Sequence, residues 1–378
     1  MDLTVILLEL TKGLAAFTWQ NAVMIAAACV LIYLAVAKEY EPVLLLPIGF
    51  GCLLANIPLA GMTASEGMMG FLYEAGIKSE LFPLLIFIGV GAMIDFSPLL
   101  SQPKMVLLGA AGQFGIFGTL MLAIWLGFPL NEAASIGVIG AIDGPTSIFV
   151  ATKLAPELLA PIAVAAYSYM SLIPIIQPPL MRLLTSKQER LIRMEYTPRP
   201  ISHTTLVAFP IVLTLAVGLL VPEATPLISM LMLGNLLKVS GVVDRLSKAA
   251  QNEIINIATL FLGLTIGATM GASSFLQPKT LIILLLGLFA FGLDTVAGLL
   301  FGKLMSFLSG GKINPLIGAA GISAFPMAGR LAAKMAAEED YDNFILMHAM
   351  GSNTAGQLGS VIAGGLLLAL VAGVTGII

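Results

Sequence analysis

Ile139-Gly140-Ala141-Ile142-Asp143-Gly144-Pro145-Thr146-Ser147 sets one acid and a Gly-Pro pair in the middle of an otherwise apolar stretch. A carboxylate at the centre of a membrane span costs about 2.5–3.5 kcal/mol on insertion scales. Proline lacks a backbone donor and disfavours helix in the residue before it. The stretch therefore reads as a broken membrane helix, with unpaired carbonyls beside Asp143 and two hydroxyls, Thr146 and Ser147. Transporters hold small hard cations such as Na⁺ with oxygens of this kind. The same aspartate suits a cap on the half-helix that begins at Pro145, and one side chain can do both. Asp143, Thr146 and Ser147 are the first candidate metal ligands.

The composition around this motif belongs to lipid. Of 378 residues, 58% are hydrophobic and only 10% charged, and the mean hydropathy is +1.00. A soluble chain is about a quarter charged. At about 20 residues per span, the length allows roughly ten to twelve membrane segments in an all-α polytopic protein. A formal charge of −3 without basic clusters excludes a nucleic-acid footprint. Cys29 and Cys52 lie in apolar stretches and read as packing residues, and two histidines are too few for a His/Cys metal centre. The acidic start MDLTVILLEL lacks the cationic leader of a cleaved signal peptide. Residues 1–41 read as an N-terminal segment with a first span at 17–37. The stretch 182–203, with Arg182, Lys187, Arg190, Arg193 and Arg199, reads as a cytoplasmic loop. It opens a linking region, 186–225, that also holds one connecting span.

Four short motifs recur in the same order. Gly51-Cys52-Leu53-Leu54 is echoed by Gly234-Asn235-Leu236-Leu237, and Ile88-Gly89-Val90-Gly91-Ala92-Met93 by Leu264-Thr265-Ile266-Gly267-Ala268-Thr269. Gln102-Pro103-Lys104 returns as Gln277-Pro278-Lys279, and Ile139-Gly140-Ala141 as Ile317-Gly318-Ala319. Two transport repeats, 42–185 and 226–378, are the expectation. An even number of crossings in each repeat would make the second inverted, the arrangement that builds midplane ion sites.

The second repeat has its own interruption, Gly321-Ile322-Ser323-Ala324-Phe325-Pro326, which carries no acid. Paired interruptions point to a binding site, with Ser323 the side-chain ligand from this half. In the last segment Asn353, Gly356, Gln357 and Ser360 share one helical face. Such a face can serve close packing or ligand binding. Tyr169 lies too deep to be an interfacial anchor. Asp294 is the other deep acid, either an ion or proton residue or the partner of a neighbouring polar group. Asp95, Glu66, Glu74 and Arg330 fall near span ends, where solvation suffices. The chain holds no phosphate-binding loop, no nucleophilic triad and no dinucleotide fingerprint. Residues alone thus lead to a polytopic cation transporter centred on Asp143, with its energy source open.

From Gly91 to Arg193 the sequence resembles the membrane β subunits of the sodium-pumping, biotin-dependent decarboxylases. The resemblance rests on Asp95-Phe96-Ser97-Pro98-Leu99-Leu100, Gly140 to Thr146, Ala166-Tyr167-Ser168-Tyr169-Met170 and Ile175-Ile176-Gln177-Pro178-Pro179. Asn314-Pro315-Leu316-Ile317-Gly318-Ala319-Ala320-Gly321 and Met347-His348-Ala349-Met350-Gly351 extend it through the second half. It implies a carboxybiotin decarboxylase that exports Na⁺ and consumes a proton, in a bacterial inner membrane. It further implies a biotin carrier, a carboxyltransferase α subunit, a small membrane-anchoring subunit and a homo-oligomer as partners. The family's essential aspartate falls on Asp143, its functional tyrosine on Tyr169, and its polar last-helix residues on Asn353 and Ser360. Those four are the catalytic candidates, with Asn353, Gly356 and Gln357 for carboxybiotin and Asp143, Thr146, Ser147, Tyr169, Ser323 and Ser360 for Na⁺. Gly351-Ser352-Asn353 departs from the Gly-Pro-Asn of the pattern. The competing expectations are a Na⁺-coupled anion transporter without biotin chemistry, and an assembly scaffold.

Overall fold

A computed structural model describes residues 11–39, 41–141, 143–196 and 200–376. The acidic N-terminal decapeptide, Arg199 and Ile142 lie outside the described residues. Among those described there is helix and no strand. In chain order the first helices are α1 (Trp19–Ala37), α2 (Pro42–Ala55), α3 (Met68–Leu72), α4 (Leu81–Met93), α5 (Ser97–Ser101), α6 (Met105–Ala111) and α7 (Phe114–Trp125). Next come α8 (Leu130–Gly137), α9 (Gly144–Leu154), α10 (Leu159–Leu184), α11 (Lys187–Arg190), α12 (His203–Leu220) and α13 (Thr225–Val239). The remainder are α14 (Asp244–Ala249), α15 (Ile255–Ala268), α16 (Ala272–Phe275), α17 (Pro278–Leu308), α18 (Leu316–Ala319), α19 (Met327–Glu339) and α20 (Leu346–Thr375).

Six helices among the described residues are long and apolar enough to cross a membrane, or eight when two bent pairs each count as one span. Other apolar segments of the sequence fall to shorter helices, such as the 14 residues of α2, or to broken ones. The stretch read as one span at 132–152 is α8, a 3₁₀ turn over Val138–Ala141, and α9. The stretch at 314–336 is α18 and α19 with an irregular link between them. Helix Met68–Leu72 and the π-helix Tyr73–Lys78 that follows it were not expected, because Gly67, Glu66 and Glu74 mask the pattern. Cys52 is buried, but Cys29 is exposed and is not a packing residue within the chain.

Two compact units divide the chain, Met1–Pro83 with Asn256–Ile283, and Leu84–Ile255 with Leu284–Ile378. In the first, α2 crosses α15 with no room for side chains: a Cβ on Gly51 would strike the Leu264 carbonyl, and one on Gly267 the Ile48 carbonyl. In the second, α4 crosses α13 in the same way, Gly91 against the Leu231 carbonyl and Gly234 against that of Ile88. Small residues let membrane helices approach closely, where backbone packing replaces the missing hydrophobic drive. Below the second crossing Asn235 donates to the Ile94 carbonyl at 3.1 Å. In α10, Pro174 cannot donate to the Met170 carbonyl and crowds it, and the helix bends there by 64°.

The polar stretch after α10 is folded down rather than loose. Ser186 and Glu189 form a capping box on α11, and Arg190 pairs with Glu339 at 2.7 Å. Arg182 reaches Glu338 at 3.0 Å and Arg193 reaches Asp340 at 2.7 Å. Asn314 and Asn343 both donate to the Arg190 carbonyl at 2.9 Å. The hydrogen bond from Arg193 holds the Asp340 carboxyl below the usual carboxylate range. A lowered value stabilises the clasp above the ordinary Asp range and fades as the pH falls through it.

Two outcomes follow. The carboxylate NMR titration of Asp340 has its midpoint below that of an ordinary aspartate and returns towards it in Arg193→Ala. Gly234→Val overpacks the crossing and lowers stability by about 1–3 kcal/mol, read as an earlier thermal unfolding transition in detergent.

Candidate functional site

Asp143 sits where α9 begins, in extended backbone (φ −126°, ψ 101°), and is only 6% exposed. Gly144 and Pro145 start the half-helix that it caps. One carboxylate oxygen, Oδ1, lies at 3.5 Å from the Thr146 amide. The other, Oδ2, takes three donors: Thr146 Oγ1 at 2.7 Å, Gln357 Nε2 at 2.9 Å and Ser360 Oγ at 3.2 Å. The capping role and the clustered oxygens thus coexist on one side chain. A Cβ on Gly144 would fall onto the Tyr167 ring, 2.7 Å from its hydroxyl oxygen, so glycine lets Tyr167 close over the break. That hydroxyl has no hydrogen-bond partner. Tyr167 was not singled out in the sequence, although its place in Tyr167-Ser168-Tyr169 could have flagged it.

The second break, between α18 and α19, is held by amides. Asn353 Nδ2 donates to the Ile322 carbonyl at 2.7 Å, and Gln177 Nε2 to that of Ala319 at 2.7 Å. Gly356 lies against the Gly321 carbonyl. Gln113 Nε2 donates to the Gly356 carbonyl at 3.2 Å. The face expected on the last helix is therefore shared between the two breaks: Asn353 and Gly356 serve the second, Gln357 and Ser360 the first. Both breaks meet the middle of α20, where Ser352, Asn353, Thr354, Gln357 and Ser360 are all buried.

Not every candidate reaches the carboxylate. Ser147 Oγ donates to the Asp143 main-chain carbonyl at 3.0 Å and that of Val138 at 3.3 Å. It braces the backbone of the break rather than Oδ2. Tyr169 donates to the Leu284 carbonyl at 2.5 Å, away from the acid. Ser323 is buried in the second break. Asp294 is fully buried in α17, whereas Asp95, Glu66, Glu74 and Arg330 are exposed.

Chemically, this is one carboxylate among neutral oxygens. Among the described residues no group of three His, Cys, Asp or Glu side chains is placed to hold a metal ion. A single negative charge among two hydroxyls and a side-chain amide nitrogen can be neutralised by one proton or one monovalent cation.

Interrupted membrane helices around a buried acid are an arrangement found in membrane transporters. Residues 20–371 match the family model described as the Na⁺-transporting oxaloacetate decarboxylase beta subunit. The chain belongs to that family. It is 55% identical over 362 residues to the glutaconyl-CoA decarboxylase subunit beta of Acidaminococcus fermentans, covering 96% of each chain. With the methylmalonyl-CoA decarboxylase subunit beta of Veillonella parvula it shares 56% over 360 residues, 95% of each. With the oxaloacetate decarboxylase beta chain 2 of Salmonella typhi it shares 48% over 412 aligned positions, 93% of this chain and 95% of that one. The protein is thus a multi-pass membrane subunit of the sodium-pumping decarboxylases, which couple decarboxylation to Na⁺ transport.

Hydrogen bonds to a charged group are worth about 1.5–3 kcal/mol. A double-mutant cycle of Asp143→Ala with Gln357→Leu, read by unfolding of the purified protein, gives a coupling of about 1–3 kcal/mol. A coupling near zero would mean that the amide does not hold the acid.

Proposed function

We propose that this chain decarboxylates carboxybiotin carried by a partner subunit, consumes a proton in doing so, and exports Na⁺ from the bacterial cytoplasm across the inner membrane. The observation that carries this reading is Asp143 itself, buried at a helix break with three donors on one oxygen, in a chain of a Na⁺-transporting family. Burial disfavours an ionised carboxyl and an adjacent cation favours it. Asp143 therefore holds a proton or Na⁺ in turn. Each hydroxyl at the site donates in this structure and also carries lone pairs. Rotation of Thr146 and Ser360 presents those lone pairs to Na⁺, while Ser147, Ser323 and Tyr169 supply oxygens along the path.

Carboxybiotin enters from the cytoplasmic side and meets Tyr169 and the Asn353, Gly356 and Gln357 face. There the bond between the ureido nitrogen and the carboxyl carbon breaks. CO₂ leaves, and the electron pair stays on the nitrogen, which takes the proton. A biotin carrier, a carboxyltransferase α subunit and a small membrane-anchoring subunit complete the complex, with this chain as a homo-oligomer. Higher identity to the glutaconyl-CoA and methylmalonyl-CoA subunits than to the oxaloacetate ones favours an acyl-CoA as the carboxyl source.

Residues 42–185 and 226–378 form the two transport repeats of this reading, the second inverted. Two observations support it. The glycine crossings are crosswise, Gly51 with the Gly267 helix and Gly234 with the Gly91 helix, and each joins a first motif to a second motif from the other half. Each half also carries an interrupted pair at the matching motif, α8–α9 and α18–α19; counted as re-entrant, these pairs leave an even number of crossings in each repeat, with α12 between them.

Asp143→Asn lowers both Na⁺ uptake into inverted vesicles and carboxybiotin decarboxylation by about a hundredfold or more. Either activity surviving near the wild-type rate contradicts the assignment. Avidin blocks Na⁺ uptake by the reconstituted complex; uptake driven by an anion gradient and indifferent to avidin would favour the secondary transporter.

A further inference from the structure

Asp294, in the middle of α17, has no part in the scheme above and no exposed surface. Its Oδ1 accepts the amide of Gly115. Gly115 is the second residue of α7, a helix whose N-cap, Gln113, contributes no side-chain capping bond. Asp294 thus caps a neighbouring helix across the bundle, filling one of the orphan donors that every helix start leaves. Its Oδ2 has no partner. Two hydroxyls in the same region are also without partners, Thr295 beside it and Thr119 on α7. Thr119 lies four residues after Gly115 and so on the same helical face.

Among the described residues no cation pairs with this acid. The atoms nearest Asp294 come from α7 and the 3₁₀ turn Val138–Ala141, whose sequences contain no titratable residue. One turn back on α17, Phe291 packs with Ile173 of α10, with Ile322 and Ala324 of the second break and with Ala328 of α19; the cations of those helices, Arg182, Arg330 and Lys334, are exposed. Gly287 on α17 packs against Tyr169, whose hydroxyl is committed to the Leu284 carbonyl. On the same stretch of α17 Lys303 is engaged with Glu189 and the Leu184 carbonyl. One backbone amide offsets only part of the penalty of a buried carboxylate, so an ionised Asp294 would be an uncompensated charge in the membrane interior.

The position matters for the proposed ion site. A Cβ on Gly140 would stand 3.0 Å from Asp294 Oδ2 and 3.1 Å from the Gly115 carbonyl carbon. No side chain therefore separates Asp294 from the turn that runs into Asp143. Two ionised acids flanking one turn would repel, each opposing the other's charge.

We propose that Asp294 is a second proton-binding site of this chain, distinct from Asp143, and that it keeps its proton whether or not Na⁺ occupies Asp143. Only the comparison with Na⁺ rests on the functional reading given above. The step is the addition of one proton from water to Oδ2, forming an O–H bond and removing the negative charge. The proton removes the charge from an oxygen that no donor reaches, while Oδ1 goes on capping α7. A neutral Asp294 leaves Asp143 as the one acid at this place that exchanges charge during transport.

Infrared difference spectroscopy of the purified complex at neutral pH tests this. The wild type shows a protonated-carboxyl C=O stretch that shifts in D₂O, is lost in Asp294→Asn and persists in Asp143→Asn. Saturating Na⁺ leaves this band unchanged. A wild-type minus Asp294→Asn spectrum containing only ionised carboxylate bands overturns the proposal, and so does bleaching of the band by Na⁺. If the asparagine variant fails to assemble, Asp294→Glu serves instead, and the band moves in frequency rather than vanishing. The Asp143 reading fails on a different signal: a Na⁺-induced change present in wild type and absent from Asp143→Asn. Its absence would leave the Asp294 band standing.

Discussion

A charged side chain inside hydrocarbon must find partners or lose its charge. That constraint organises the larger unit of this protein around Asp143. The helix is broken beside it, and the groups the break releases are taken up locally: the Thr146 amide faces Asp143 Oδ1, and Ser147 donates to the Asp143 and Val138 carbonyls. A second helix, α20, brings an amide and a hydroxyl to the same oxygen. Thr146 supplies a third donor from the next turn of its own half-helix. Every one of these contacts tolerates a neutral acid or a cation-paired one, and none supplies a fixed positive charge that would lock the carboxylate ionised. A salt bridge at this point would have held the carboxylate in its ionised form.

The same helix governs the second break. Asn353 and Gly356 act there, one turn before Gln357 and Ser360 act on the first. Rotation or sliding of α20 would therefore disturb both breaks together. The clasp of Arg182, Arg190 and Arg193 with residues 338–342 ties α10 and its polar extension to the segment that leads into α20. This gives a physical link between a water-exposed surface and the buried site.

Much of this was legible in the residues. The acid-Gly-Pro sequence at 143–145 announces its break because proline chemistry is local and needs no tertiary information. Helical spacing grouped Asn353, Gly356, Gln357 and Ser360 for the same reason. Spacing could not divide them between two breaks, since that depends on which segment each half-turn of α20 meets. It also could not show that the Ser147 and Tyr169 hydroxyls are spent on main-chain carbonyls, because a hydroxyl's partner is chosen by packing. Tyr167 was passed over since its neighbour Tyr169 matched the family pattern. Met68–Lys78 stayed hidden because its glycines and acids break the apolar period. The partner of Asp294 is a backbone amide distant in sequence, for which no side-chain signal exists.

The central claim is that one carboxyl exchanges a proton for a sodium ion. Its most direct measurement is proton release on Na⁺ addition to the purified complex in weakly buffered solution, followed with a pH-indicating dye. The account requires one proton released per Na⁺ taken up at this site, and none from Asp143→Asn. Na⁺ uptake by the wild type without proton release, or equal release from the variant, would contradict it.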